Sequence, residues 1–227
     1  MAIRPPDVAA LYVDAQGVYS GLGVDVWGPD RDARLYDGPL PVVAHPPCQR
    51  WGMMAAAAFG RWGHEHLRPG NDGGCFEAAL ASVRRWGGVL EHPVGSWAWP
   101  AYGLPRPAGT GWCGGAGEWT CEVWQSAYGH RARKKTWLFV SSEARPPDLL
   151  WDRLPGTHQV GHPDRRGRDR NLPVLSSTEA AATPIAFARA LIEIARLSRR
   201  DAGAAVGTVF GSSVRSEAAS VFGKESP

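Results

Sequence analysis

Pro41-Val42-Val43-Ala44, followed at once by His45-Pro46-Pro47-Cys48-Gln49, joins a nearly continuous apolar run to a double proline and a cysteine. Such a run is what a strand shows when both faces of a parallel sheet are covered. Each proline fixes its own φ and pushes the residue before it toward extended geometry, so the chain leaves the strand as a rigid loop rather than a helix. Cys48 is therefore expected at the carboxyl end of a strand, the edge where open α/β sheets place their sites. Two readings of its thiol stay open on these residues alone: a small buried hydrophobe in a proline-bounded turn, or a nucleophile held for use.

Downstream, Phe76, Ala79, Leu80, Val83 and Trp86 recur at helical spacing, which predicts an amphipathic helix over residues 75–86, stopped by Gly87-Gly88. Val89-Leu90 then reads as a strand ending at Glu91-His92-Pro93. Strand, crossover helix and strand form a βαβ unit, so Cys48 and Glu91 are expected at the same edge of two parallel strands. Upstream, Ala10 to Asp14 reads as a short strand running into the turn Ala15-Gln16-Gly17, and residues 28–40 as loop. The insert after Cys48, rich in Gly, His and Trp, is ambiguous, and residues 94–118 promise little regular structure. Trp119 to Trp124 and Thr136 to Val140 have strand composition and flank a polar segment, which predicts an antiparallel pair. Residues 142–173 look like a connection. A last helix is expected to begin with Thr183 as cap and Pro184 in its first turn, its stripe being Ile185, Ala188, Leu191, Ile192 and Ala195.

With 227 residues, 44% of them hydrophobic, the chain suits one α/β domain over residues 1–200 and a flexible tail at 201–227. The sheet is expected to be mostly parallel with an antiparallel strand pair, a reduced Rossmann-like arrangement. No run of about 18 apolar residues is present, so a soluble, cytoplasmic protein is expected. The four cysteines have irregular spacing, which makes free thiols the expectation. His64-Glu65-His66 with Cys75, Cys113 and Cys121 offers zinc ligands without any Cys-x-x-Cys pair, so no metal is assigned. Net charge is only +3, yet Arg131, Arg133, Lys134 and Lys135 form one basic run and Arg165, Arg166, Arg168 and Arg170 another, as phosphate contact or a solvated loop would have it. Eleven tryptophans are well above ordinary usage; core packing is the first expectation for any one of them, and those beside Gly or Pro in loops could also stack bases.

In this order, Pro46-Pro47-Cys48-Gln49, Glu91-His92-Pro93 and Tyr128-Gly129-His130-Arg131-Ala132-Arg133 before Trp137-Leu138-Phe139-Val140 resemble the catalytic half of the DNA cytosine-5 methyltransferases. Their Pro-Cys-Gln loop, Glu-Asn-Val strand end and Tyr-Gly-x-x-Gln-x-Arg-x-Arg segment correspond to these stretches. The resemblance implies a pyrimidine carbon-5 transferase acting on DNA, with the base flipped out or single-stranded. Cys48 would add to ring carbon 6. Glu91, with a raised pKa in a closed pocket, would serve ring nitrogen 3. Arg131 or Arg133 would hold the base carbonyl, and their field would lower the thiol pKa.

The likeness is strongest over residues 40–140 and thins at the donor half. There Asp14, Gly17 and Asp25 are the candidates for binding S-adenosylmethionine, and one or two βα units are missing. The glutamine before the arginine pair is absent, and His92 stands where the family has asparagine. Three outcomes follow: a compact methyltransferase, whose donor site a partner protein completes if the chain alone does not; a pyrimidine-modifying enzyme using another electrophile, for example on phage-type DNA; or a non-catalytic nucleic-acid binder. No membrane partner is expected.

Overall fold

The computed structural model describes residues 5–160 and 171–200; the expected tail and the second basic run lie outside them. Seven strands, β1 (Ala9–Leu11), β2 (Asp25–Trp27), β3 (Val42–Ala44), β4 (Gly88–Pro93), β5 (Cys113–Gly115), β6 (Glu118–Trp124) and β7 (Lys135–Ser141), form one sheet in the order β2-β1-β3-β4-β7-β6-β5. β1 to β4 run parallel, and β7, β6 and β5 add on antiparallel. The helices are α1 (Met53–Trp62), α2 (Cys75–Trp86), α3 (Ala98–Ala101), α4 (Ser177–Ala181) and α5 (Ile185–Leu197). The chain thus has a mixed α/β fold whose sheet is parallel at one end.

Alternation along the short strands explains why they hold two layers of helix. Val42, Ala44 and Leu90 face α2, where Phe76, Leu80 and Val83 are buried with Trp51 and Trp99. Val43, Val89, Leu138 and Val140 face α5 and bury Phe187, Leu191 and Ile194. Every residue of β3 is fully buried, which a strand covered on both faces requires. The crossover through α2 places β3 and β4 side by side with Ala44 level with Leu90, so His45, the first residue past β3, comes level with Glu91, while β4 runs on beside β7 to Pro93.

Several local expectations shift. The first strand stops at Leu11 because Tyr12 turns left-handed, with φ of 59°, a conformation rare for a bulky aromatic residue. The ambiguous insert contains α1, an alanine-rich helix closed by Gly63 at φ of 66°. Residues 94–118, expected to be irregular, supply α3 and the edge strand β5. The connection at 142–173 gives way to α4, whose start carries a complete capping box between Ser176 and Glu179. α5 begins one residue beyond the expected cap, with Pro184 rather than Thr183 at its entrance.

The glycine pair after α2 is a steric necessity. A Cβ on Gly88, at φ of 128°, would stand 2.0 Å from the Val42 carbonyl oxygen, and one on Gly87 would stand 1.7 Å from that of Ser198. Gly88→Ala must push β3 and β4 apart beneath the site. It is expected to destabilise the protein by at least about 3 kcal/mol, read as a lower urea midpoint at unchanged slope.

Candidate active site

Cys48 stands in an exposed loop just past β3. That loop is braced from below. The Cys48 carbonyl accepts the Trp51 backbone N–H at 3.0 Å, and the Trp51 indole donates to Asp72 at 2.8 Å. Asp72 also accepts the Gly74 and Phe76 backbone N–H groups at the start of α2, so one carboxylate ties the cysteine loop to the crossover helix. Under the prolines, His92 is buried against Phe76 and Trp99, its Nδ1 paired with the Ser96 hydroxyl at 2.7 Å. Burial pulls its pKa down to about 4, against the Glu91 charge and the Pro47 backbone, so it is neutral at ordinary pH. His92 is thus a packing residue beneath the loop.

Glu91 projects from β4 with its side chain only 12% exposed. His45 Nδ1 lies 3.0 Å from its Oε2, and the Tyr19 hydroxyl lies 2.7 Å from His45 Nε2. Gln125, from the end of β6, donates to Thr136 at 2.9 Å and more loosely to Glu91 Oε1 at 3.3 Å. An ionised carboxylate can only accept, so His45 Nδ1 carries the hydrogen of that bond. Burial alone would raise the Glu91 pKa. Burial is the largest single influence, but the His45 hydrogen bond and the electrostatic pull of His45 and Lys134 together outweigh it, and the net result is about 2. The raised value expected from the sequence is therefore corrected: Glu91 rests ionised, because its pocket holds the His45 imidazole against the carboxylate. Tyr19, buried beside that charge, is held well above its usual pKa and remains protonated.

The cation at this site is Lys134, and neither arginine. Its ammonium group donates to the carbonyls of Ala181 and Ala182 at 2.9 and 3.1 Å, where the last turn of α4 presents its unpaired acceptors. Burial lowers its pKa, while Glu91 and Cys48 pull the other way. Cys48, Glu91 and Lys134 thus form one electrostatic group. The Cys48 thiol is nevertheless raised: the protein around it disfavours the thiolate, Glu91 adds to this, and its own backbone N–H and Lys134 only partly offset it. Although the residue is exposed overall, its sulfur sits close enough to protein mass for burial to lead. The expected lowering by Arg131 and Arg133 does not occur. Arg131 is paired with Glu179 at 2.6 Å and with His158, and Arg133 lies over the Trp124 ring at 5.7 Å.

The donor candidates do not converge. Asp14 accepts the Gln16 backbone N–H at 2.9 Å in a local turn, and Gly17 closes that turn before a 3₁₀ segment at Val18–Gly21. Asp25 starts β2, level with Ala9 at the amino end of β1, and is held by Arg31 at 2.6 Å and the Trp27 indole at 2.8 Å. Both carboxylates are already engaged, so these three residues do not form a ready cradle for S-adenosylmethionine. The proposed zinc ligands also stay apart. Among the described residues no group of three His, Cys, Asp or Glu side chains is placed to hold a metal, and all four thiols are free.

Sequence reasoning missed His45, Tyr19, Gln125 and Lys134. His45 had a signal, being the first residue past the β3 run and three before Cys48. Gln125 is a glutamine reaching Glu91 from three residues before Tyr128, whereas the family places one after it. Among the described residues no helix is long and apolar enough to cross a membrane. No family model, curated protein or solved structure matches the chain.

Proposed function

We propose that the chain is a nucleic-acid pyrimidine carbon-5 transferase, most simply cytosine-5-methyltransferase-like and acting on DNA, with Cys48 as nucleophile and Glu91 as the group serving the ring. The observation that carries this reading is that the exposed Cys48 lies just past β3 and Glu91 on the adjacent parallel β4, Ala44 being level with Leu90, while Lys134, at the entry to antiparallel β7, is electrostatically coupled to both. The strand order supports a Rossmann-like origin: β2-β1-β3-β4 has its switch point between β1 and β3, the position at which doubly wound sheets bind ligands, with one outer strand fewer than the full arrangement.

Carbon 5 of a pyrimidine is a weak nucleophile. Adding the Cys48 thiolate across the 5,6 double bond forms a sulfur–carbon 6 bond and moves the electron pair toward carbon 5. Carbon 5 then takes up an electrophilic group; loss of its proton to solvent and expulsion of the thiolate restore the ring. Glu91 Oε1, only loosely held by Gln125, faces the exocyclic amine or ring nitrogen. Its partner oxygen lies on His45, so as charge develops on the ring the Nδ1 hydrogen of His45 passes toward Glu91 and on to the ring, and returns when the thiolate leaves; Tyr19 stays protonated and holds the imidazole from its other nitrogen. Lys134 steadies the thiolate. S-adenosylmethionine would supply a methyl cation equivalent, but no step is assigned to the donor residues, whose carboxylates are occupied.

Lys134→Met is expected to move the alkaline limb of the pH dependence of adduct formation upward and to lower the rate near pH 7 by about 10–100-fold, because the thiolate loses the cation that offsets Glu91 beside it. The deciding experiment for the whole reading is incubation with DNA carrying 5-fluoro-2′-deoxycytidine, with and without S-adenosylmethionine, followed by intact mass and peptide mapping. A Cys48 adduct that needs the donor supports methyl transfer, and one that forms without it supports another electrophile. Absence of any adduct at Cys48 leaves the non-catalytic binder and overturns the enzyme reading.

A further inference from the structure

Trp124 ends β6, and three cations gather around its ring: Lys135 at 5.0 Å, Arg133 at 5.7 Å and Arg153 at 5.9 Å from the centroid. All three are exposed, and none has a carboxylate partner among the described residues. Elsewhere Arg31, Arg34, Arg68, Arg85 and Arg131 each sit on an acidic side chain, and Arg61 and Arg106 each lie singly over an indole ring, whereas three cations share the Trp124 ring. Three like charges around one ring repel each other, and the ring's π face offsets only part of that cost. The Trp124 indole N–H is buried with no acceptor among the described residues, so it fixes no outside ligand, and the unmet demand is that of the three exposed cations. What the group lacks is an anion with several acceptor oxygens.

The cluster is assembled rather than accidental. Arg133 lies on the approach to β7 and Lys135 opens it level with Trp124, while Arg153 comes from a segment that returns across it. That return is fixed by the Ser126 hydroxyl on the Leu154 carbonyl at 2.7 Å, and by Gly156, whose absent Cβ leaves room for the backbone of Arg131 to Arg133. Register puts it beside the active site. Glu91 is level with Leu138 on β7, and Lys135 lies three residues on, roughly 10 Å along the strand at ~3.3 Å per residue. Consecutive side chains divide the work, since Lys134 joins Cys48 and Glu91 while Lys135 joins Trp124.

We propose that Trp124, Arg133, Lys135 and Arg153 bind the phosphodiester backbone of the nucleic-acid strand whose base enters the Cys48 site. The assignment rests on the function proposed above for its substrate, and it gives Arg133 a phosphate in place of the base carbonyl. Guanidinium groups suit phosphate by their paired donors, and an aromatic ring set among them suits the adjoining sugar or base.

The test is fluorescence anisotropy of a labelled single-stranded oligonucleotide containing 5-fluoro-2′-deoxycytidine, across a salt series, with adduct formation scored on the same samples. Arg133→Ala/Arg153→Ala is expected to weaken binding about tenfold and to flatten the slope of log affinity against log salt by about 1.4, or ~0.7 for each single-strand phosphate that is no longer neutralised. The Lys/Lys double variant should recover most of the slope, and Arg189→Ala on α5 should leave it unchanged. Thermal melting checks that the variants fold. An unchanged slope in a folded Ala/Ala protein that still forms the adduct overturns this site and spares the enzyme. A slope loss without any Cys48 adduct in the parent protein keeps the phosphate site and removes the enzyme. Failure of the parent to bind the oligonucleotide, or equal competition by polyglutamate, overturns the proposal in favour of no anion or an acidic protein.

Discussion

Cys48→Ala is expected to reduce covalent capture of 5-fluoro-2′-deoxycytidine DNA to background, a loss on the order of 10⁴-fold or more, while oligonucleotide affinity stays within about twofold. The separation follows from geometry. Cys48 is exposed and its loop is braced through its carbonyl and through Trp51 and Asp72, so the sulfur can be removed without disturbing the scaffold. Stability should change by no more than about 0.5 kcal/mol. Cys48→Ser keeps the shape and replaces the thiol by a far weaker nucleophile, so it should behave like alanine. Persistence of the adduct in either variant, mapped to Cys75 or Cys113, would place the chemistry elsewhere on the chain.

Glu91→Ala should damage both fold and activity. Its carboxylate is the shared acceptor for His45 and Gln125 at 3.0 and 3.3 Å in a side-chain site 12% exposed. Truncation leaves those groups without their partner, and breaking a buried pair in this way costs roughly 3–5 kcal/mol. Glu91→Gln preserves volume and isolates the charge. It should abolish adduct formation while costing less stability, and Tyr19→Phe should lower the rate with a smaller effect still.

The same carboxylate sets an acid limit. Its pKa is about 2 in the folded protein against an ordinary value of 4.5, so the pairing contributes its full stability above the ordinary value. That contribution is lost as pH falls from about 4.5 toward about 2, a few kcal/mol in all. The urea midpoint of the parent should therefore drop through this window, and that of Glu91→Gln should drop less. An identical pH dependence in the two proteins would show that Glu91 is not held as described.

The βαβ unit was legible in the chain because its signals are local: the apolar run at 42–44, the helical stripe from Phe76 to Trp86 and the glycine stop each lie within a single element or at its end. Those signals sufficed to bring Cys48 and Glu91 to one edge. The antiparallel pair β6 and β7 was legible by strand composition in the same way. What escaped was everything decided by contacts between distant segments. Glu91 was expected to be a raised carboxyl in a closed pocket; the histidine that ionises it lies 46 residues earlier. Arg131 looked like a free cation until Glu179 arrived from 48 residues away, and Lys134, which looked like its solvated neighbour, was drawn inward by the end of α4. α1 escaped for another reason. Glycine, histidine and tryptophan crowd its borders, and only Ala55 among its residues is buried, so no stripe announced it.

Lys134 is anchored by main-chain oxygens 47 and 48 residues farther along, and α5 backs the sheet from the same late stretch. During synthesis, a polypeptide that has emerged only as far as Ser141 already owns all seven strands, the thiol and the carboxylate. It has neither the clamp that steers the ammonium nor the greasy slab behind β3 and β4. The charge beside the sulfur is therefore set only once α4 has been made, and a premature stop before α4 would yield a protein carrying the thiol and the carboxylate without the anchored Lys134.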